Sequence, residues 1–364
     1  MPIGIFDSGY GGLTILKEIR RRLPQYDYLY LGDNARAPYG SRSFELVYDF
    51  TLQAVNALFE RGCQLVILAC NTASAKALRS IQQNDLPKID PSKRVLGVIR
   101  PTVEALPGVS ASKHIGLLAT PGTVASHSYA LEMEKMDPEM TITEHACPMW
   151  VPLVENNEAN SPGADYFVKK YIDEILAKDT LIDTLVLGCT HYPLLIEKIS
   201  EYVGSDMKVI SQGALVAESL ADYLSRHHEI ETKCGKEGGL KFLTTENQEK
   251  FDEIASFFID SEVHSQRITL QSPCRSETSE LLESIKEHMP EEAIPLLDAF
   301  ITLYPSDDEA YTIRGIKHWA LGQRSLAINN YLSAIRINPE SRAKMALQAA
   351  NDILDYYNKD LLNP

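Results

Sequence analysis

Leu65-Val-Ile-Leu-Ala-Cys70-Asn-Thr-Ala-Ser-Ala75 and Leu185-Val-Leu-Gly-Cys189-Thr-His-Tyr-Pro-Leu194 are the two stretches on which the reading of this chain turns. Each opens with a short uninterrupted apolar run, the mark of a strand buried on both faces. Each then stops at a small residue, presents a cysteine, and continues with threonine and other polar groups where a helix can begin. Four more runs follow the same pattern, at Ile3 to Phe6, Tyr28 to Leu31, Val95 to Ile99 and Ile115 to Ala119. Helical stretches fit between them at 12–23, 44–61, 72–82 and 164–177. This alternation predicts an α/β chain, doubly wound, with mostly parallel sheets. Sites in such folds lie in the crevice beyond the carboxyl ends of the strands, so the residues just after each run are where chemistry is sought.

At 364 residues the chain exceeds what one hydrophobic core supports, which predicts two or three domains. Its 44% hydrophobic and 23% charged residues are a globular composition, excluding a disordered or collagenous chain. Thirty-five Lys and Arg against 50 Asp and Glu leave a net charge of −15, and no long basic patch interrupts it. Neither nucleic acid nor an anionic membrane is therefore an expected partner. The six cysteines contain no C-x-x-C pair, which argues against a zinc site or a disulfide framework and for reduced thiols. The opening Met1-Pro-Ile-Gly-Ile-Phe-Asp7 lacks a signal peptide's basic and apolar regions, and no apolar run reaches eighteen residues, so the expected location is cytoplasmic.

A thiol just past a strand, where a helix begins, sits near backbone N–H groups that favour thiolate, so depressed pKa values are expected at both Cys70 and Cys189. Cys63, Cys147, Cys234 and Cys274 do not follow an apolar run in this way and are read as small core residues. A metal held by Cys70, Cys189 and His191 lacks a further ligand at a familiar spacing, and none is expected. Two thiols on opposite sides of a small carbon acid suit removal of a proton from one face and return of one to the other, a two-base inversion. Covalent catalysis by a single cysteine is the rival use and leaves the second thiol unexplained. The glycine-rich turn Asp7-Ser8-Gly9-Tyr-Gly11-Gly12 has neither the spacing of a dinucleotide fingerprint nor a P-loop ending, and nucleotide binding is rejected there. The turn Gly32-Asp33-Asn34-Ala-Arg36-Ala-Pro38-Tyr39-Gly40 offers exposed N–H groups to a carboxylate.

The strings FDSGYGGLT, GDNARAPYGSRS, ACNTASA, VPLVE and LGCTHYPLL, in this order and followed by TTENQEKFDEIASFF, resemble the glutamate racemases, cofactor-independent members of the aspartate/glutamate racemase superfamily. The resemblance implies two pseudo-symmetric α/β domains facing each other, the first from 1–97 and 208–262, the second from 98–207. It implies that Cys70 takes the proton from D-glutamate and Cys189 that from L-glutamate, with Asp7 assisting Cys70, His191 assisting Cys189, and Glu155 as a further acidic helper. Ser8, Pro38, Tyr39, Gly40, Asn71, Thr72 and Thr190 match substrate-contact positions, joined by Thr120 and Thr123. By the same resemblance the chain needs no cofactor, forms a homodimer and supplies D-glutamate for peptidoglycan, with aspartate racemase the nearest alternative. Arg100 stands where many relatives carry Glu, which puts contacts near the crossing between domains in question.

After about residue 262 the character changes. A polar stretch, 263–275, reads as a linker, and 276–364 as an all-helical module. Ala293, Leu297, Phe300 and Pro305 recur 34 residues later as Ala327, Tyr331, Ala334 and Pro339, the period of a tetratricopeptide repeat, with Gly315 and Gly322 at its small positions. Ser341 to Tyr357 reads as a capping helix. Such a module predicts a protein or peptide partner, and it leaves open an interaction adaptor whose racemase-like part is inactive.

Overall fold

The computed structural model describes residues 1–259, 261–270, 275–305, 307–338 and 341–351. They divide into two compact units, Met1–Gln271 and Ser272–Pro364. The first holds ten strands: β1 (Ile3–Asp7), β2 (Tyr28–Gly32), β3 (Leu65–Leu68), β4 (Arg94–Gly97), β5 (His114–Ala119), β6 (Thr141–Ala146), β7 (Thr184–Gly188), β8 (Lys208–Ile210), β9 (Leu240–Thr244) and β10 (Ser265–Arg267). They form a six-stranded sheet ordered β10-β9-β2-β1-β3-β4 and a four-stranded sheet ordered β6-β5-β7-β8. Every recorded pairing is parallel.

The order β2-β1-β3-β4 in the first sheet repeats as β6-β5-β7-β8 in the second. In each, the chain reverses direction across the sheet between its first and third strands, which opens a crevice at their carboxyl ends. Cys70 follows β3 and Cys189 follows β7, so the two thiols occupy corresponding points of the repeated pattern. The central strands β1, β3 and β7 are buried along their whole length, which is why they read as unbroken apolar runs.

Four strands were not legible in the sequence. β6 reads Thr-Ile-Thr-Glu-His-Ala, half-exposed at the sheet edge, and β8 and β10 are edge strands of only three residues. β9, Leu-Lys-Phe-Leu-Thr, has its apolar run broken by Lys241 and is buried only toward its carboxyl end. The helix expected over 72–82 breaks instead into Asn71–Lys76, Leu78–Ser80, a π-turn at Ile81–Asp85 and Leu86–Ile89.

The expected boundaries move in two places. β8 pairs with β7, so residues 208–210 belong to the second sheet, and the chain returns to the first only after them. β10 pairs with β9 inside the stretch read as a linker. There Val263 and Ile268 are buried, Val263 N–H donates to Ser256 Oγ (3.0 Å) and Ser265 N–H to Asp252 Oδ1 (2.9 Å). Of the polar side chains at 264–267 along this edge, those at 264, 266 and 267 are exposed, while Ser265 is buried.

The second unit is helical throughout its described residues: Arg275–Glu287, Pro290–Leu303, Asp308–Ala320, Arg324–Ile337 and a helix over 343–351. Ala293, Leu297 and Phe300 are buried, as are Ala327, Tyr331 and Ala334 at the 34-residue offset. A Cβ on Gly315 would lie 2.5 Å from the Tyr331 ring, so these two helices approach as closely as they do only because that position has no side chain. Pro339, Cys274 and the end of the expected capping helix lie outside the described residues.

A chain ending after residue 262 loses β10 and the burial of Val263 and Ile268, a loss of roughly 3–6 kcal/mol from two buried aliphatic side chains. One ending after 271 keeps both. Urea unfolding of the two truncations should give a clearly lower midpoint for the shorter, and equal midpoints would show that β10 is not part of the core.

Candidate active site

At the carboxyl end of β3, Cys70 is the N-cap of the helix Asn71–Lys76, with Ser74 N–H bonded to its carbonyl (2.9 Å) and Ala73 N–H directed at its Sγ (3.5 Å). Ser8, one residue beyond β1, places its Oγ 3.3 Å from the same sulfur. At the carboxyl end of β7, Cys189 leads into a short turn, and its Sγ lies 3.8 Å from His191 Nδ1. The other ring nitrogen, Nε2, is 3.1 Å from Glu155 Oε1. Glu155 ends the helix Trp150–Glu155, whose buried Trp150 packs edge-on against Tyr192 at 4.8 Å. Tyr192 in turn donates to Cys147 O (3.1 Å). Ring packing thus fixes the His191 turn against the helix that carries its acidic partner.

Both sulfurs line one cavity of about 200 Å³. Ser8, Pro38, Tyr39, Gly40, Asn71, Thr72, Thr120, Glu155, Thr190 and His191 line it with them. Two of the expected residues do not reach the cavity. Asp7 is fully buried behind the wall, with Oδ2 accepting from Gly9 N–H (2.9 Å) and Oδ1 lacking any hydrogen-bond partner. Thr123 stands behind Thr120, in a knot of hydroxyls where Thr72 Oγ1 is 3.0 Å from Thr120 Oγ1 and Thr120 Oγ1 is 3.1 Å from Thr123 Oγ1. Two others line it with side chains already engaged: Tyr39 OH bonds Asp33, and the Asn71 amide is held by Tyr129 and Gln212. Arg100 pairs with Glu104 on the surface and takes no part in the crossing between domains.

The sequence reading missed part of the wall, namely Ala37, Ser41, Pro121, Pro148, Val151, Pro152 and Cys147. Cys147, expected in the core, immediately follows β6, so it does stand at the end of a strand. The signal was the adjacent Cys-Pro after Thr141 to Ala146, hidden because that edge strand is too polar to read as one.

The electrostatics correct a second expectation. Burial pushes the Cys70 thiol up to about 12, and nearby Asp7 adds to the shift, outweighing the hydrogen bonds from Ser8 and Ala73. Desolvation beats the helix cap, since a six-residue helix carries little dipole. Burial likewise raises the Asp7 carboxyl, opposed by His191 and the Gly9 and Gly12 amides. For His191 burial acts downward, but hydrogen bonding and charge at Cys189 and Glu155 prevail and raise it to about 10. The site therefore combines a protonated sulfur at Cys70 with an imidazolium beside the second sulfur. Among the described residues, no group of three or more His, Cys, Asp or Glu is arranged to hold a metal ion, and no helix is long and apolar enough to cross a membrane.

Two thiols line one small cavity, each just past the third strand of a repeated parallel order. The family model described as Asp/Glu/Hydantoin racemase matches residues 13–220. The glutamate racemase of Ruegeria sp. (strain TM1040) is 42% identical over 273 residues, spanning 72% of this chain and 98% of its own. In structure, glutamate racemase RacE1 of Bacillus anthracis is similar with a TM-score of 0.68 at 35% identity, covering 74% of this chain and 97% of its own. That of Francisella tularensis, solved with D-glutamate, gives 0.67 at 32%, covering 74% and 98%. The chain belongs to the Asp/Glu/Hydantoin racemase family. Within it the chain is an amino-acid racemase, grouped by sequence and fold with the glutamate racemases.

Two outcomes follow from this geometry. A Cβ on Gly11 would lie 2.3 Å from Thr190 Oγ1 and 2.5 Å from His191 Nδ1, so Gly11→Ala should displace both and cost about 10–100-fold in kcat/KM, measured by racemisation. The raised pKa of His191 contributes stability that is complete below its unfolded value of 6.5 and is lost as pH rises toward about 10. Thermal unfolding from pH 6 to 10 should therefore fall less steeply in His191→Asn than in the parent chain, and parallel curves would contradict the shift.

Proposed function

We propose that this chain interconverts L- and D-glutamate by proton transfer between Cys70, the substrate α-carbon and Cys189, with no cofactor taking part. The observation that best supports the reading is that both sulfurs line one cavity from corresponding points of two like-ordered sheets. In the L-to-D direction Cys189 removes the α-proton and the Cys70 thiol delivers one to the opposite face; the reverse direction exchanges the roles. Burial that holds Cys70 protonated up to about 12 suits the delivering role, so the resting site is poised for L-glutamate.

His191 supports Cys189, and Glu155 orients His191 through the 3.1 Å contact. Asp7, buried with a raised pKa beside Cys70, serves that thiol when it must give up its proton. The hydroxyls of Ser8, Thr72, Thr120 and Thr190, with the backbone N–H groups of Tyr39 and Gly40, hold the two substrate carboxylates. Asn71 contributes its backbone rather than its amide, and Thr123 acts through Thr120. An α-proton is a weak acid, so a water-poor cavity with preorganised donors supplies the stabilisation that an electron sink provides elsewhere. Glutamate as substrate is supported by the relatives' names and by the Francisella protein's complex with D-glutamate. The product then feeds peptidoglycan synthesis, and the chain works in the cytoplasm as a homodimer. We read the helical unit as tetratricopeptide-like, holding a peptide partner.

In D₂O, with glutamate and aspartate offered separately, loss of optical activity with deuterium entering the α-position should occur with glutamate. Turnover of aspartate instead would reassign the substrate, and silence with both would make the chain an adaptor. Cys70→Ser and Cys189→Ser should each lower racemisation by at least about 10²–10⁴-fold, and full activity in either would overturn the two-thiol scheme.

A further inference from the structure

The chain crosses between the two sheets twice, at 97–99 and at 211–213. Gln212, buried and capping the helix Gly213–Arg226, sits on the second crossing. Its amide closes a ring of three hydrogen bonds running in one sense. Tyr129 OH donates to Asn71 Oδ1 (2.6 Å), Asn71 Nδ2 donates to Gln212 Oε1 (2.6 Å), and Gln212 Nε2 donates to Tyr129 OH (2.6 Å). The second Gln212 N–H is directed at Thr102 Oγ1 (2.8 Å), with Val98 O at 3.4 Å. Thr102 Oγ1 donates to the same Val98 carbonyl (2.8 Å), on the first crossing.

All four side chains are almost wholly buried, so each bond operates without competing water, and losing one partner strands the others. A ring in which every member both gives and receives is mutually reinforcing. Its membership is what matters: Asn71 is the residue after Cys70, Tyr129 belongs to a helix of the second domain, and Gln212 lies on the second crossing and reaches Thr102 on the helix Ile99–Ala105 that follows the first. Cys70 is thereby tied to the domain that carries Cys189 by a path that does not pass through the substrate. None of the hydrogen bonds of this ring goes to Cys189 or His191, although Tyr129 feels the charge at Cys189.

We propose that Gln212 is a positioning residue for Cys70, locking the interdomain crossings so that the Cys70 sulfur is held at its distance from the α-carbon. The proposal rests on the assignment of the two faces to Cys70 and Cys189. A misplacement of the order of 1 Å at one thiol costs about 10²-fold. A loss of fold alone would affect both faces equally, whereas a displaced Cys70 slows only the proton transfers in which it takes part.

The test is Gln212→Leu in the full chain, with α-deuterated substrate supplied from each side. Total kcat/KM should fall about 10–100-fold. With D-[2-²H]glutamate, whose deuteron Cys70 must remove, the isotope effect on kcat/KM should rise. With L-[2-²H]glutamate it should fall, because delivery by Cys70 and not removal by Cys189 then limits the rate. Both values being isotope-dependence of the folded enzyme, neither is changed by a smaller folded fraction. If Gln212→Leu does not fold, Gln212→Glu, which keeps an acceptor for Asn71 and lacks the two donors, carries the same comparison. Equal changes from both sides, or none, would overturn the positioning role. Cys70→Ser is the control for the underlying reading: an active Cys70→Ser enzyme would remove the two-thiol assignment itself, while an inactive one beside symmetric Gln212 effects would reject only the role of Gln212.

Discussion

Two sulfur atoms can face one small cavity here because parallel strands end in the same direction and the same strand order is used twice. In each sheet the third strand lies beside the first, and the chain leaves it into the crevice where the order reverses. The side chain at that exit therefore points into the crevice by topology, before any local detail is considered. Duplication supplies the second exit. Where the walls meet, close approach is bought with missing side chains: Gly122 N–H donates to Gly40 O at 2.7 Å, and a Cβ on Gly40 would lie 2.9 Å from Thr120 Cβ.

The backbone repeats, but the surroundings of the two thiols do not. Cys70 is flanked by a hydroxyl and by a buried carboxyl, Asp7, that is itself pushed toward its neutral form. Cys189 has an imidazole whose charge is sustained by Glu155. Burial alone raises a thiol and lowers a histidine, so an enclosed pair of equivalent sites would hold two neutral thiols. Cys189 itself, together with an acid helper from a third element, the helix Trp150–Glu155, reverses the sign of the burial effect on His191, and does so on one side only. That asymmetry sets a protonated thiol at Cys70 across the cavity from an imidazolium beside Cys189.

The central strands and both thiol positions were legible because strands buried on both faces leave an unbroken apolar run with an abrupt polar end. Thr141 to Ala146 lies at the edge of its sheet, where alternate residues meet solvent, so the run is broken and Cys147 loses its visible context. Val263 and Ile268 are single apolar residues among polar neighbours, which is all that a short edge strand leaves in the sequence. Local signals also mispriced the Cys70 thiol, since the helix beginning at Asn71 is visible in sequence whereas the wall of Asp7, Tyr30 and Tyr39 around it is assembled from distant segments. Gln212 left no signal at all. A lone amide acquires meaning only when the two crossings bring it to Asn71 and Tyr129.

For an amino-acid racemase, the unequal surroundings of the two thiols are bounded by thermodynamics. Enantiomers have the same free energy in water, so the equilibrium constant is one and kcat/KM must be equal in the two directions. Neither the imidazolium at His191 nor the protonated thiol at Cys70 can favour one enantiomer in that ratio. What they can do is divide the same barrier differently, placing more of it in binding from one side and more in turnover from the other. A mutation that disturbs one thiol must therefore depress kcat/KM equally both ways while shifting which proton transfer limits each. The two faces of this cavity are distinguishable only step by step, never by their net efficiency.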